Sequence, residues 1–584
     1  MKHIYLWVVM ALMLGGTAAA QEPLYAVGGF NGWDARKPVQ FTYADGLYTL
    51  EIDFSKSNEF KLSTTAGTAG DGWGEFDKGT LYPTGTLEMD RWCHLKQEPR
   101  SANIVAPSNT LTKVTVDMAT LSILFGESDQ PATAWSGTLP VMFINTVDAA
   151  PITGKEKYVD ATYYIDPMGC EGVEALGSKE APLVTQIKGR GNYTWSGFEK
   201  KPYRLKFKDK ASPLGMPSSR HFVLLAHADD NLGFQRNECG LTISRLLGMP
   251  WTPESEPLEV VLNGDYIGLY FLTQNVRVSK ERVNVTEQQD LATTDVDGGW
   301  LVEIDNYDTD PHVTVQGPEG PIWFTYKSPE ELSTQQEAYL QSQMDAINDA
   351  IYNGERQGDD TPLSRLVDFD VLARYYITQE IVDDTESFHG SCYLNRQRGE
   401  SEKWKFGPVW DFGNAFQREW REQFIFQNPT WSQVWIGGIY EFPAFQAKVK
   451  EIWAWWLGFG PQAVEEHAVA FAQKIQAAAA CDLKRWPQYG NADILGKADA
   501  VIGMMARKTD WLKSQWGSEA SVGSILPDGA YGQPDGAYDP NAPVDVYTPQ
   551  GTLVLRGATP DQISALPAGL YILPGRALLR TSER

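Results

Sequence analysis

The chain has 584 residues, 42% of them hydrophobic and 21% charged, with a net charge of −25. That length exceeds what one hydrophobic core organises, so roughly three to four domains are predicted, and the composition excludes wholesale disorder. The charge excludes a general binder of nucleic acid or of anionic membranes, although a few local Lys and Arg residues still suffice for a nucleotide site.

Residues 1–20 read as a secretory signal peptide. Met1-Lys2-His3 is a short basic start, Ile4 to Leu14 an apolar run, and Ala18-Ala19-Ala20 a small-residue cleavage site before Gln21. The apolar run is too short for a spanning helix, and no later stretch offers 18 unbroken apolar residues, so no transmembrane segment is expected. The predicted location is secreted, periplasmic or on the outer surface. Five cysteines (Cys93, Cys170, Cys239, Cys392, Cys481) are scattered without CxxC or zinc spacing, and isolated buried thiols are expected.

From 22 to 128 the pattern is of short alternating strands, among them Leu24–Val27, Leu47–Ile52 and Glu59–Leu62, which predicts a β-sandwich. Its opening, Gly28-Gly29-Phe30-Asn31-Gly32-Trp33-Asp34, resembles the start of immunoglobulin-like glycan-binding modules and of outer-surface starch-binding proteins. That resemblance implies a glycan partner stacked on Trp33 and Trp73, whereas a Trp that plugs the end of the sandwich is the structural alternative. The chain's 20 Trp, 25 Tyr and 24 Phe are open to the same two readings, glycan sites or large cores.

Residues 139–516 mix strands, dominant to about Tyr326, with later helices over Glu330–Tyr352, Leu366–Ile381, Phe445–Trp456 and Pro461–Cys481. Strands before helices predict a two-lobed α+β domain. A linker rich in Gly, Pro and Asp over 517–543 precedes strands in 544–584, a small all-β domain. Val546-Tyr547-Thr548-Pro549-Gln550-Gly551 and Leu566–Ile572 there resemble the C-terminal sorting domains of the Por (type IX) secretion pathway of Bacteroidetes.

Four clusters in the middle of the chain carry chemistry. Lys188-Gly189-Arg190-Gly191-Asn192 followed by Lys200-Lys201-Pro202-Tyr203-Arg204-Leu205-Lys206 joins a glycine turn to a basic strand. Close backbone N–H groups and flanking bases suit an oligophosphate, though no Walker motif is present. Asp229-Asp230 precedes a helix opening with Arg236-Asn237-Glu238. One of the two aspartates is expected to cap that helix, and Glu238 is placed to pair with a phosphate-binding lysine. Leu262-Asn263-Gly264-Asp265 is a hairpin turn. Finally, Asp383-Asp384-Thr385-Glu386-Ser387-Phe388-His389 ends a helix in an acidic loop. A hairpin follows, and Trp410-Asp411-Phe412-Gly413-Asn414 closes the cluster. One acid to orient an acceptor hydroxyl and another to hold Mg²⁺ is the layout of phosphoryl transfer.

These motifs, in this order, resemble the spore-coat protein H (CotH) family of atypical secreted protein kinases. The resemblance implies a kinase-like central domain that transfers phosphate from ATP, with Mg²⁺ or Mn²⁺, to Ser or Thr of a secreted protein acceptor. Carried over by motif, Asp411 is the metal-binding acid and Lys206, or Lys201, contacts the nucleotide phosphates. Arg236, with Arg190 of the glycine turn, organises the nucleotide site. The family's catalytic Asp is Glu386 here, with Asp383 and Asp384 as nearby substitutes. The Asp usually found two residues after the metal-binding acid is Gly413, for which Asn414 offers a carbonyl ligand. A carboxylate one methylene longer matters, since about 1 Å of misplacement can cost about 100-fold in rate. A catalytically inactive surface protein that binds carbohydrate or protein is therefore the alternative.

Overall fold

The computed structural model describes residues 23–580 apart from 85–86, 119, 129–132, 295, 306–309, 319, 417–421, 428–434, 521–543, 548–552, 560–561, 563–568 and 574–575. The predicted leader and most of the predicted linker lie outside the described residues. The chain divides into two units, Met1–Ser136 and Gly137–Arg584.

Alternating apolar residues build the first unit from β1 (Tyr25–Gly28), β2 (Val39–Gln40), β3 (Thr42–Ala44), β4 (Leu47–Asp53), β5 (Glu59–Ser63), β6 (Thr80–Pro83), β7 (Cys93–Gln97), β8 (Ile104–Val105), β9 (Leu111–Asp117) and β10 (Ser122–Phe125). They pair in the order β2-β1-β5-β6-β7-β10-β9-β4-β3, with β8 on β5. Phe60 and Leu62 of β5 meet Val114 and Val116 of β9 and Phe125 of β10 in one core, so the two halves of the sheet face each other. Trp33 is half-buried against Val27 and Ala35, and its ring lies 6.3 Å from that of Trp73 in the short helix α1 (Gly72–Phe76).

The second unit begins with β11 (Val141–Thr146), β12 (Val159–Asp166), β13 (Leu183–Gly189), β14 (Tyr203–Ala211), β15 (Ser219–Leu225), β16 (Ser255–Leu262) and β17 (Asp265–Gln274). They close a barrel in the order β11-β12-β13-β14-β15-β17-β16. The period of two decides what faces inward: Tyr203, Leu205 and Phe207 of β14 are buried in the barrel core, leaving Arg204, Lys206 and Lys208 outside. Asn263 and Gly264 join β16 to β17 with φ of 51° and 83°, the pair of positive values a two-residue hairpin turn requires. Two helices lie within this part, α2 (Tyr193–Gly197) and α3 (Gln235–Leu246).

A second sheet, in the order β19-β20-β18-β21-β22, comprises β18 (Trp300–Asp305), β19 (His312–Gly317), β20 (Gly320–Ser328), β21 (Cys392–Arg396) and β22 (Lys405–Phe406). Around it lie α4 (Thr334–Tyr352), α5 (Pro362–Leu366), α6 (Phe369–Ile381), α7 (Ile436–Tyr440), α8 (Pro443–Leu457), α9 (Gly460–Arg485) and α10 (Ile494–Trp516). The helix expected over Leu366–Ile381 starts at Phe369, because Val367 is extended and Asp368 caps α6 by accepting from the N–H groups of Asp370 and Val371, and Leu366 instead ends α5. Trp300, Trp404, Trp435, Trp453 and Trp456 are fully buried here, so much of the aromatic excess is core.

The unit is therefore mixed, β-rich to Ser328 and helical from Thr334 to Trp516 around the β21–β22 hairpin. The tail adds a four-stranded sheet, in the order β24-β23-β25-β26, from β23 (Val544–Tyr547), β24 (Leu553–Ala558), β25 (Gly569–Leu573) and β26 (Arg576–Arg580). The five cysteines form no disulfide. No helix among the described residues is long and apolar enough to cross a membrane.

Candidate functional site

A cleft of about 1380 Å³ within the second unit gathers residues from β13, β14, the β15–α3 connection, the second sheet and both acidic loops. Its basic wall begins at the glycine turn. A Cβ on Gly189 would lie 2.4 Å from the Trp195 ring, so only glycine lets α2 fold back on β13, and Gly191 turns the chain at φ 77°. Lys155 Nζ pins the turn by donating to Asn192 Oδ1 at 2.7 Å. Lys188 of β13 lies opposite Arg204 on the adjacent strand β14, and both line the cleft with Arg190, whose guanidinium lies 5.8 Å from the centre of the Trp410 ring. Burial lowers the Arg190 pKa, while the charges of Asp411 and Asp229 oppose that fall.

The structure places the two predicted phosphate lysines elsewhere. Lys206 stands two residues beyond Arg204 on the same outer face, about 7 Å further along the strand, and sits over the Tyr158 ring outside the cleft lining. Lys201 donates to the Trp195 carbonyl at 2.6 Å and so holds α2 in place. Lys200 is instead the buried base: 1% exposed, it meets Asp482 of α9 at 2.7 Å and donates to the Leu269 carbonyl. Gly268, at φ 111°, makes that approach possible, since a Cβ there would lie 2.2 Å from Asp482 Oδ1.

The acidic wall is built around Asp411, whose backbone sits at φ 60°. Phe412 packs its ring on Gly240 of α3, where a Cβ would come within 2.5 Å of it, and donates its N–H to Asn237 Oδ1 at 3.2 Å. Arg236 grips the next residue by donating to the Gly413 carbonyl at 2.5 Å. The adjacent Arg236 and Asn237 thus clasp the 411–413 turn. Burial, with Lys200 and Arg190 nearby, pushes His227 down to about 3, so the neutral ring accepts from Asn237 at Nδ1 and completes the clasp. Asp230 caps α3 by accepting from the Leu232 and Arg236 N–H groups, whereas Asp229 lines the cleft. Burial and the neighbouring Asp411 charge push Asp229 up to about 6. Asn414 and Glu386 line the same cleft.

Glu386 rides a loop fastened at both sides. Asp384 is buried and accepts from the Glu386 N–H at 3.1 Å, and burial holds its carboxyl well above the usual range, so it shapes the loop instead of lining the cleft. Tyr375 donates to the Ser387 carbonyl, and Phe388 is fully buried against Tyr375. Asp383, at φ 49°, is held by Lys508 of α10 at 2.8 Å. Glu238 finds a different partner from the lysine expected for it: its carboxylate meets His467 Nε2 of α9 at 2.6 Å. Burial alone would raise Glu238, but His467, Arg245 and Lys474 together hold it below the usual range. Non-glycine residues at positive φ recur around the cleft, at His227, Asp383, Ser391 and Asp411, where surrounding contacts overdetermine a costly backbone.

Sequence reasoning missed Glu303 of β18. It lines the cleft at 7% exposure, and burial pushes it up to about 7, although Lys327 at 2.9 Å and Tyr393 oppose that rise. Its place in a strand of alternating core residues gave no local signal.

A divalent ion needs oxygen donors that converge. An ideal Cβ on Gly413 would lie 3.2 Å from Asp411 Oδ1 and 3.3 Å from Asp229 Oδ2, so two carboxylates crowd the space that a third side chain would occupy. Magnesium commonly uses one or two carboxylates and completes its shell with phosphate and water, and the donor set fits. No group of three or more His, Cys, Asp or Glu side chains suited to a metal occurs among the described residues.

A comparison with curated proteins gives no match. The model of the CotH kinase protein family matches residues 187–512, more than half of the chain, running from the strand that leads into the glycine turn to the last helix around the cleft. The chain belongs to the CotH kinase protein family.

Proposed function

We propose that this protein is an exported phosphotransferase that moves the terminal phosphate of ATP to a Ser or Thr hydroxyl of a secreted protein. The observation that carries this reading is the division of one cleft into a basic wall of Lys188, Arg190 and Arg204 and an acidic wall of Asp411, Asp229 and Glu386, in a chain of net charge −25. The bases neutralise phosphate oxygens, and the flat guanidinium of Arg190 over Trp410 is suited to bidentate contact. Asp411 and Asn414 hold the divalent cation, which supplies charge neutralisation at the phosphoryl group when bound. Glu386 accepts the proton of the acceptor hydroxyl, on a loop kept rigid by Asp384, Tyr375 and Lys508. Export rests on the leader pattern of residues 1–20, and the Por-like tail supports delivery to the outer surface.

The test is label transfer from γ-labelled ATP with Mn²⁺ or Mg²⁺ by the full mature chain, to itself and to a panel of secreted proteins. Asp411→Ala and Glu386→Gln are each expected to lower incorporation by about 100-fold or more. Undiminished transfer in Glu386→Gln overturns its role as base, and nucleotide binding without transfer favours a silent binding protein. A second reading of the first unit has its own support: Trp33 and Trp73 lie 6.3 Å apart and Trp73 is 39% exposed, a platform for a sugar ring.

A further inference from the structure

We propose that Asp229, from the β15–α3 connection, is the second carboxylate of the divalent-cation site. The inference deepens the phosphotransferase reading and rests on it.

Three observations converge. First, among the described residues Asp229 neither caps a helix nor forms a salt bridge. The capping role open to either aspartate belongs to Asp230, which accepts from two backbone N–H groups and faces Arg236. Arg236 is in turn committed to Asp230, Asn231 and the Gly413 carbonyl. Asp229 makes no salt bridge among the described residues, although it lines a cleft whose other wall is basic. Second, its carboxylate converges with that of Asp411. The vacant Cβ position of Gly413 is 3.3 Å from Asp229 Oδ2 and 3.2 Å from Asp411 Oδ1. Two like-charged groups directed at one point repel unless a cation sits between them. Third, the arrangement is held rigidly from both sides: the Arg236–Asn237 clasp on residues 412 and 413 ties the turn bearing Asp411 to the helix that follows Asp229. Gly413 belongs to the same logic. A side chain there would contend for the space where the two carboxylates meet, so an acid at 413 and an acid at 229 are alternative ways to supply one ligand.

Mn²⁺ binding tests this, measured by electron paramagnetic resonance on the full mature chain with a non-hydrolysable ATP analogue present. Asp229→Asn is expected to weaken Mn²⁺ by about tenfold or more, with affinity for the analogue in chelator unchanged. Adding Gly413→Asp to Asp229→Asn is expected to recover most of the loss. Gly413→Asp alone is expected to leave Mn²⁺ affinity no better than that of the natural chain, because its side chain contends with Asp229 for one place; this arm stands even where Asp229→Asn fails to fold, as judged by circular dichroism, and tenfold tighter binding in it overturns the shared-ligand assignment. Mn²⁺ affinity within twofold of the natural chain in folded Asp229→Asn overturns the assignment and leaves the phosphotransferase reading standing. Absence of both Mn²⁺ and analogue binding in the natural chain overturns both.

Discussion

On the helical side of the cleft, Lys508 is 1% exposed and meets two carboxylates, Glu380 at 2.9 Å and Asp383 at 2.8 Å, while donating to the Gln423 carbonyl. On the opposite side, Asp229 faces Asp411 with no cation of its own in contact. Each cluster brings two carboxylates together, but Glu380 is fully buried whereas Asp229 is half-buried and Asp411 exposed, and among the described residues only the first cluster has a salt bridge to a protein cation. The compensated cluster fixes geometry: Lys508 ties α10 to the end of α6 and to the strained residue from which the Glu386 loop departs. The uncompensated one is left open to a charge from outside. Lys200 and Asp482 repeat the first pattern between barrel and α9, with Asp482 also accepting from the Leu269 N–H. Buried ions that hold this fold come with partners.

Breaking the compensated cluster is expected to have the largest effect. Among the described residues Lys508 is the one cation in salt-bridge contact with Glu380, and Lys508→Met leaves that 0% exposed carboxylate, and the part-buried Asp383, without it. Removing one partner of a buried ion pair costs about 3–5 kcal/mol. Urea unfolding of the second unit, followed by the fluorescence of its buried Trp residues, measures the loss. A loss below about 1 kcal/mol would break the distinction between the two clusters.

Glu303 sharpens the comparison through pH. Its carboxyl moves from 4.5 to about 7 on folding, burial outweighing Lys327. The native state therefore holds this proton more tightly than the unfolded chain. Its contribution is fully present below about pH 4.5 and is lost as pH rises through about 7. At about 1.4 kcal/mol per unit the full change is on the order of 3 kcal/mol, an upper figure because Lys327 shares the charge. Glu303→Gln is expected to flatten this segment of the stability profile between pH 4.5 and 7, and an unaltered slope would assign it to other groups.

The legible parts of this molecule were those set by local periodicity and turn chemistry. The outward row Arg204, Lys206 and Lys208 follows from alternation alone, and the Asn263-Gly264 turn from its two residues. Which member of the row reaches the cleft depends on where Gly189 ends the neighbouring strand, and the structure puts Arg204 and Lys188 in the cleft lining and Lys206 outside it. Glu238 pairs with a histidine 229 positions away, and Lys200 with an aspartate on α9, contacts that no local pattern encodes. Helix α10 was not anticipated, since Gly496 and Gly503 interrupt its pattern. What identifies it in the structure is the Asp493 cap on Gly496 and the burial of Val501, Met505 and Leu512. Asp229 and Asp230 were indistinguishable in sequence because capping and cleft-facing roles differ only in the direction each side chain takes.

The smallest effect is expected where the drawn geometry is best. Arg365 and Asp360 form a two-pronged pair, with Nε to Oδ1 at 2.7 Å and Nη2 to Oδ2 at 2.8 Å, contacts as short as those holding Lys508. Yet their side chains are 63% and 77% exposed, so water and salt screen the attraction, and two long-range ordering costs oppose it. Arg365→Ala is expected to leave the melting temperature unchanged within error at physiological salt, and Asp360→Ala the same. A clear fall in either variant would mean that short contacts, not burial, decide which charges hold this fold. Burial is what makes a missing partner costly at Lys508, which is 1% exposed, and the lack of burial is what makes one cheap at Arg365.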